Sequence, residues 1–181
     1  MTWYQSMMPS GRRLGRKYVQ SGVHDALTEL VKRDRVLLEL SAHELALTHR
    51  FGVYLEAVLQ PRLDQRGLSV DLDYDRHGWT DKQLPERPDR EGSRRFRPDL
   101  IVHRRTDDSE NVLVVEWKKQ ANAHILDLLR DRLMCLVLGD ELFGHYQYEL
   151  GVMVDSSNEA VRWCALDRRG AFSAWKTISA S

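Results

Sequence analysis

Val112-Leu113-Val114-Val115 constrains this chain most, because the apolar run passes without interruption into Glu116-Trp117-Lys118-Lys119. A strand with no polar alternation is a strand covered on both faces, as in sheets that carry helices on each side. Charges that extend such a strand stand at the end of a core element and not on an ordinary solvated face. The rest of the chain has to supply the cover and explain the charges.

Apolar residues at helical spacing (Val23, Leu27, Leu30, Val31, Leu37, Leu38) predict a helix over 23–40, with a break indicated near Lys32-Arg33-Asp34-Arg35. Ser41 opens the next helix, and with Glu44 it fits the S/T-x-x-E capping box. That helix runs to about Leu59 and stops before Pro61. Leu68 to Tyr74 alternates weakly and reads as a strand. Residues 76–97 are rich in Arg, Asp, Pro and Gly and read as a loop. Pro98 to Arg105 and Val112 to Lys119 are strands separated by the turn chemistry of 106–111. A third helix covers about Ala121 to Leu138, and strands follow at Tyr148 to Val154 and Val161 to Leu166. The order predicts an α/β domain, a mixed sheet flanked by helices, over residues 22–181. Residues 1–21, with Arg12, Arg13, Arg16 and Lys17 and no acid, read as a poorly ordered basic tail.

Composition narrows the class. The 181 residues are 42% hydrophobic and 30% charged, enough apolar material for a core, which argues against a disordered chain. Cys135 and Cys164 are too few for a disulfide framework or a four-ligand zinc site, and both lie in apolar surroundings. No apolar run approaches the about 18–20 residues of a membrane span. The opening segment has no apolar stretch behind its charges, so it does not read as a secretory signal. The expected setting is the cytoplasm, with no membrane partner. With 27 basic and 27 acidic side chains the net charge is zero, so a nucleic-acid partner has to be argued from local patches.

The chemistry gathers on the hairpin. If it folds symmetrically about 106–111, residue 105 faces 112, Asp99 faces Lys118 and Ile101 faces Glu116. Asp99 and Glu116 are then diagonal neighbours, about 7–8 Å apart at the backbone, close enough to share one ion. Lys118 shares their face, and Trp117 and Lys119 point to the other. Two carboxylates at a strand end suit Mg²⁺, which keeps waters for a substrate, and a lysine beside them can orient or deprotonate an attacking water. The alternative is a cross-strand Asp–Lys pair with a solvated Glu. Glu44 heads the stripe Leu47, Phe51, Leu55, Val58, so it faces the core; the capping box and the site compete for its carboxylate.

Pro98-Asp99, a hairpin and Glu116-Trp117-Lys118, preceded by a helix bearing Glu44, resemble the PD-(D/E)xK nuclease signature. The segments HELALTHRFGVYLEAVL, VDLDYDRHG, RPDLIVHRR and NVLVVEWKK resemble a group of small bacterial members of that superfamily, over about residues 23–154. The resemblance implies a restriction-endonuclease-like αβββαβ core. It implies Glu44, Asp99 and Glu116 as metal ligands, Lys118 as the catalytic lysine, and Mg²⁺, with Mn²⁺ as substitute, as cofactor. The implied activity is that of an endonuclease cleaving phosphodiester bonds, in DNA before RNA. A further basic group from the third helix is implied too, with Arg130 and Arg132 both candidates. Asp73-Tyr74-Asp75-Arg76 matches a segment of the narrower group, and Asp73 or Asp71 is a candidate to approach the site. The acid that this group carries at a set distance before Lys-Leu in the third helix is missing in that register here, where Leu129 stands ahead of Arg132-Leu133.

Arg87, Arg90, Arg94, Arg95, Arg97, Arg104 and Arg105 lead into and out of the Asp99 strand, either as a phosphate-tracking region or as a solvated loop. His103 follows Asp99 by four on the same face, suited to packing or hydrogen bonding before chemistry. The histidines show no H-E-x-x-H spacing, and no G-x-S-x-G, P-loop or dinucleotide motif occurs. The alternative to an enzyme is a non-catalytic nucleic-acid-binding or protein-interaction subunit on the same fold. A homodimer, or a partner protein supplying target choice, fits so short a chain.

Overall fold

The helical cover begins earlier than the sequence suggests. In the computed structural model, which describes residues 14–74, 76–77, 80–81, 97–105, 109–139 and 146–179, helix α1 spans Arg16–Arg33. Its buried side is Val19, Val23, Ala26, Leu27, Leu30 and Val31. Residues 16–21 are therefore part of the domain and not tail, because Leu14 and Val19 pack into the core. Residues 1–13 lie outside the described residues. The expected break falls at Asp34, where φ of −117° ends α1 before the short helix α2 (Arg35–Glu39). Asp34 then accepts hydrogen bonds from Arg50 Nε (2.8 Å) and the Tyr54 hydroxyl (2.7 Å), which ties the break to the next helix.

That helix, α3, spans Glu44–Leu59, with Leu47, Phe51, Leu55 and Leu59 buried. The capping box is not formed. Ser41 sits in the left-handed region (φ 52°), and the turn it makes is closed by Ala42 N donating to Leu37 O (2.8 Å). The cap moves two residues on, to His43, whose Nδ1 accepts from Leu45 N at 3.2 Å. The helices α1 and α3 approach closely at Gly22, where a Cβ would lie 2.7 Å from Leu59 Cδ2. A short helix, α4 (Arg62–Arg66), leads to the sheet.

Six strands form that sheet: β1 (Ser69–Leu72), β4 (Leu100–His103), β5 (Asn111–Lys119), β6 (Leu150–Ser156), β7 (Ala160–Asp167) and β8 (Lys176–Ser179), hydrogen-bonded in that order. A two-stranded ladder of β2 (Arg76–His77) and β3 (Thr80–Asp81) stands apart within the stretch expected to be loop; 82–96 lie outside the described residues. The β5–β6 pair is parallel and every other pair in the six-stranded sheet antiparallel. A parallel neighbour needs a crossover, and α5 (Ala123–Leu138) supplies it. The protein is thus α/β, with a mixed sheet between two helical layers. Leu113, Val115 and Trp117 of β5 face the core under α1 and α3, and Val114 faces the core under α5 with Ile101, Leu129, Leu133 and Leu136. The strand buried on both faces is β5 itself. Near the C-terminus, Lys176–Ser179 adds β8 to the edge of the sheet beside β7.

The hairpin register differs from the symmetric one by two residues. Leu100 pairs with Val115, Ile101 with Val114 and Val102 with Leu113, and an irregularity follows at His103, which pairs with Asn111. Buried Glu110 anchors this end: Arg66 grips it through Nε (2.8 Å) and Nη2 (2.9 Å), and Arg104 N donates to its carbonyl (3.1 Å). Strand β5 therefore begins at Asn111, one residue earlier than the sequence suggests.

Candidate metal and phosphate site

A two-residue shift preserves which side chains share a face. Asp99, one step before β4, therefore lies beside Glu116 in this register, directly and not diagonally. Its Oδ2 accepts the backbone N–H of Trp117 at 2.6 Å, which fixes the carboxylate against the end of β5. Glu116 follows Val114 onto the α5 face and is only 2% exposed. Its Oε2 lies 3.7 Å from Arg132 Nη1. Its Oε1 is buried without a hydrogen-bond partner, the sole carboxylate oxygen so placed among the described residues. Burial, and then the neighbouring Asp99 carboxylate, push the Glu116 carboxyl up to about 8. Burial also pushes Asp99 above its ordinary value, against the lowering by the Trp117 N–H and by Lys118.

Lys118 follows Glu116 by two on the same face. Its Nζ lies 2.9 Å from Glu44 Oε2 and 3.9 Å from Asp99 Oδ2, and it donates to the Trp117 carbonyl at 2.7 Å. Burial would lower its pKa, but the hydrogen bond to Glu44 and the charge of Asp99 outweigh this and raise it, so Lys118 is an ammonium. The other oxygen of Glu44, Oε1, accepts the backbone N–H of Lys119 at 3.1 Å. The Lys119 ammonium turns to the α3 face and donates to the carbonyls of Ser41 (2.5 Å) and Ala42 (2.9 Å). The competition for Glu44 is thus decided for the strand end: its carboxylate bonds to Lys118 and Lys119.

The residues suit a divalent cation at one place. Asp99 and Glu116 are adjacent carboxylates, each made harder to ionise by burial, and one buried oxygen is unsatisfied. A cation between them would supply the missing partner and reverse the upward pressure on both groups. Glu44 stands next to the pair, linked to Asp99 through the Lys118 ammonium at 2.9 and 3.9 Å. Among the described residues no three His, Cys, Asp or Glu side chains converge to hold a metal ion.

The remaining candidates separate. Arg132 of α5 faces Glu116 and is 47% exposed, so its guanidinium lies at the rim. Arg130 instead pairs with Asp127 (3.9 Å) and stacks on Phe172. Asp73 has a left-handed backbone (φ 48°), donates its N–H to the Asp99 carbonyl (3.3 Å), and sends its side chain to Arg97 (3.5 Å). Arg104 approaches Glu110 (3.5 Å) in the hairpin anchor. His103 is buried at the far end of β4, with Nε2 3.0 Å from Asp71 Oδ2 and its ring against Tyr74. Asp71 is also gripped by Arg105, so neither it nor His103 is presented to Asp99. Arg94 and Arg95, with Arg87 and Arg90, lie outside the described residues. Two contributors escaped the sequence reading. One is Lys119, whose signal was the lysine doublet ending a buried strand. The other is Asp155, a buried acid in Val-Met-Val-Asp-Ser that accepts Ala121 N (2.9 Å) and Arg162 Nε (2.7 Å) and fixes the start of the crossover beside Lys118.

No protein-family model matches the chain, and no curated protein matches it either.

Proposed function

We propose that this chain is a metal-dependent nuclease that hydrolyses phosphodiester bonds in DNA. One observation carries the reading: the paired carboxylates of Asp99 and Glu116, one with an unsatisfied buried oxygen, stand at a strand end beside a charged lysine and a half-exposed arginine. The resemblance to PD-(D/E)xK nucleases supports it, and so does the succession of α3, β1, β4, β5, α5 and β6 around the site. Cytoplasm, suggested by two cysteines in no disulfide, is the proposed setting.

Asp99 and Glu116 would hold Mg²⁺ or Mn²⁺, which supplies polarisation of a phosphoryl oxygen and a bound water of lowered pKa. Asp99 is kept in place by the Trp117 N–H, and Glu116 by its strand and by Arg132. Lys118, an ammonium, donates a hydrogen bond to the attacking water or to a phosphate oxygen and offsets charge there. It is not the proton acceptor while Glu44 pairs with it. Arg132, at the rim, meets a phosphate of the substrate backbone.

The test is incubation of plasmid and single-stranded DNA with the chain and Mg²⁺ or Mn²⁺, beside Lys118→Ala. The expected result is metal-dependent cleavage by wild type alone. Equal cleavage by Lys118→Ala, or none by wild type with either metal, would contradict the proposal; the second result together with DNA binding would favour a non-catalytic subunit.

A further inference from the structure

Two-point attachment distinguishes Glu44 from the other two acids. Among the described residues, Asp99 takes Trp117 N on Oδ2 alone, and Glu116 Oε1 is buried with no hydrogen-bond partner. Glu44 instead has both oxygens engaged by the strand end. Its Oε2 takes the Lys118 ammonium and its Oε1 takes the Lys119 N–H. Both bonds span more than seventy residues of chain, so they join the start of α3 to the end of β5. The turn just before Glu44 is held from the same strand, by the Lys119 ammonium on the carbonyls of Ser41 and Ala42. The two lysines thus hold one helix start at two places, the carboxylate and the turn in front of it.

We propose that Glu44 is the positioning residue of Lys118 and not a metal ligand, and that Lys119 holds Glu44 in that role through the Ser41–Ala42 turn. The inference rests on the nuclease reading and assigns a division of labour within it. Asp99 and Glu116 hold the ion. Glu44 fixes where the Lys118 ammonium stands, 3.9 Å from Asp99, and Lys119 fixes Glu44. A lysine has a long, mobile stem, and a fixed carboxylate on its head is the direct way to give it one position.

The test is calorimetric titration of Mn²⁺ into wild type, Glu44→Gln, Lys119→Met and Asp99→Asn, with cleavage rates at saturating Mn²⁺ and DNA. Glu44→Gln is expected to bind Mn²⁺ within about twofold of wild type while kcat falls about tenfold or more, the cost of a misplaced catalytic group. Lys119→Met is expected to behave the same way with a smaller loss, and Lys119→Arg to recover part of it. Asp99→Asn is expected to lose Mn²⁺ binding. Glu44→Gln that loses Mn²⁺ as Asp99→Asn does, or that keeps full kcat, overturns the role while leaving the nuclease reading standing. Wild type that neither binds Mn²⁺ nor cleaves overturns the nuclease reading and the role with it.

Discussion

Asp99 Oδ2 accepts the Trp117 backbone N–H at 2.6 Å, and this bond draws a carboxylate to the one charged end of a strand otherwise buried on both faces. Trp117 is itself locked there, its Nε1 donating to Ser156 Oγ of β6 at 3.0 Å. The carboxylate pair is therefore set by the sheet and not by a loop, which is how a site keeps its geometry through a reaction.

Glu116→Gln is expected to stabilise the protein in the absence of metal. The substitution removes a buried acid that lies beside another acid and has an unsatisfied oxygen, at a gain of about 1–2 kcal/mol. Thermal unfolding in chelator checks it: the variant should melt above wild type. Added Mn²⁺ should then raise the melting temperature of wild type and leave the variant unmoved.

Arg132→Ala should slow cleavage about tenfold, whereas Arg130→Ala should stay within about twofold. Arg132 faces Glu116, and Arg130 stacks on Phe172. Cleavage rates of the two variants under identical conditions decide it, and equal losses would remove Arg132 from the site.

Asp71 should make stability depend on acid. Burial alone would raise its carboxyl, but hydrogen bonds from Arg105 and His103 outweigh burial and hold it far below the ordinary range. A depressed folded-state pKa contributes stability above the unfolded value, about pH 4, and that stability is lost as pH falls below it. Asp71→Asn should therefore cost about 1–2 kcal/mol at pH 7, discounted for solvent screening, and less at pH 3. Urea unfolding of both proteins at the two pH values measures the difference.

Ser41→Gly should be neutral or stabilising by up to about 1 kcal/mol, since Ser41 has φ of 52° and glycine adopts that backbone freely. His43→Ala should cost about 0.5–1 kcal/mol through the lost N-cap. If Ser41 were the cap, the order of the two effects would be reversed, and chemical denaturation of both variants reads that order directly.

Much of the fold was legible because its signals are continuous. The Val112–Val115 run could only be a covered strand, and the apolar spacing of α3 and α5 could only be helical. Asp99, Glu116 and Lys118 were legible as one face because alternation survives an even shift in register, although the register itself was not. At that hairpin end Arg66 reaches Glu110 across 44 residues, a contact that no local pattern reports. The capping box failed for the same kind of reason: side-chain identity at Ser41 does not reveal its backbone angle. Choosing Arg132 over Arg130 needed the rotation of α5 about its axis. The strand β8 was missed because Lys176–Ser179 is short and largely exposed.

In the proposed function the Asp99–Glu116 pair serves metal-dependent hydrolysis of DNA. Its most direct test is a time course on supercoiled plasmid with chelator-treated protein, Mg²⁺ being restored partway through, for wild type and Asp99→Asn. The expected result is no cleavage before Mg²⁺, nicked or linear product from wild type after it, and none from Asp99→Asn. Cleavage in chelator, or equal cleavage by the two proteins, would contradict it.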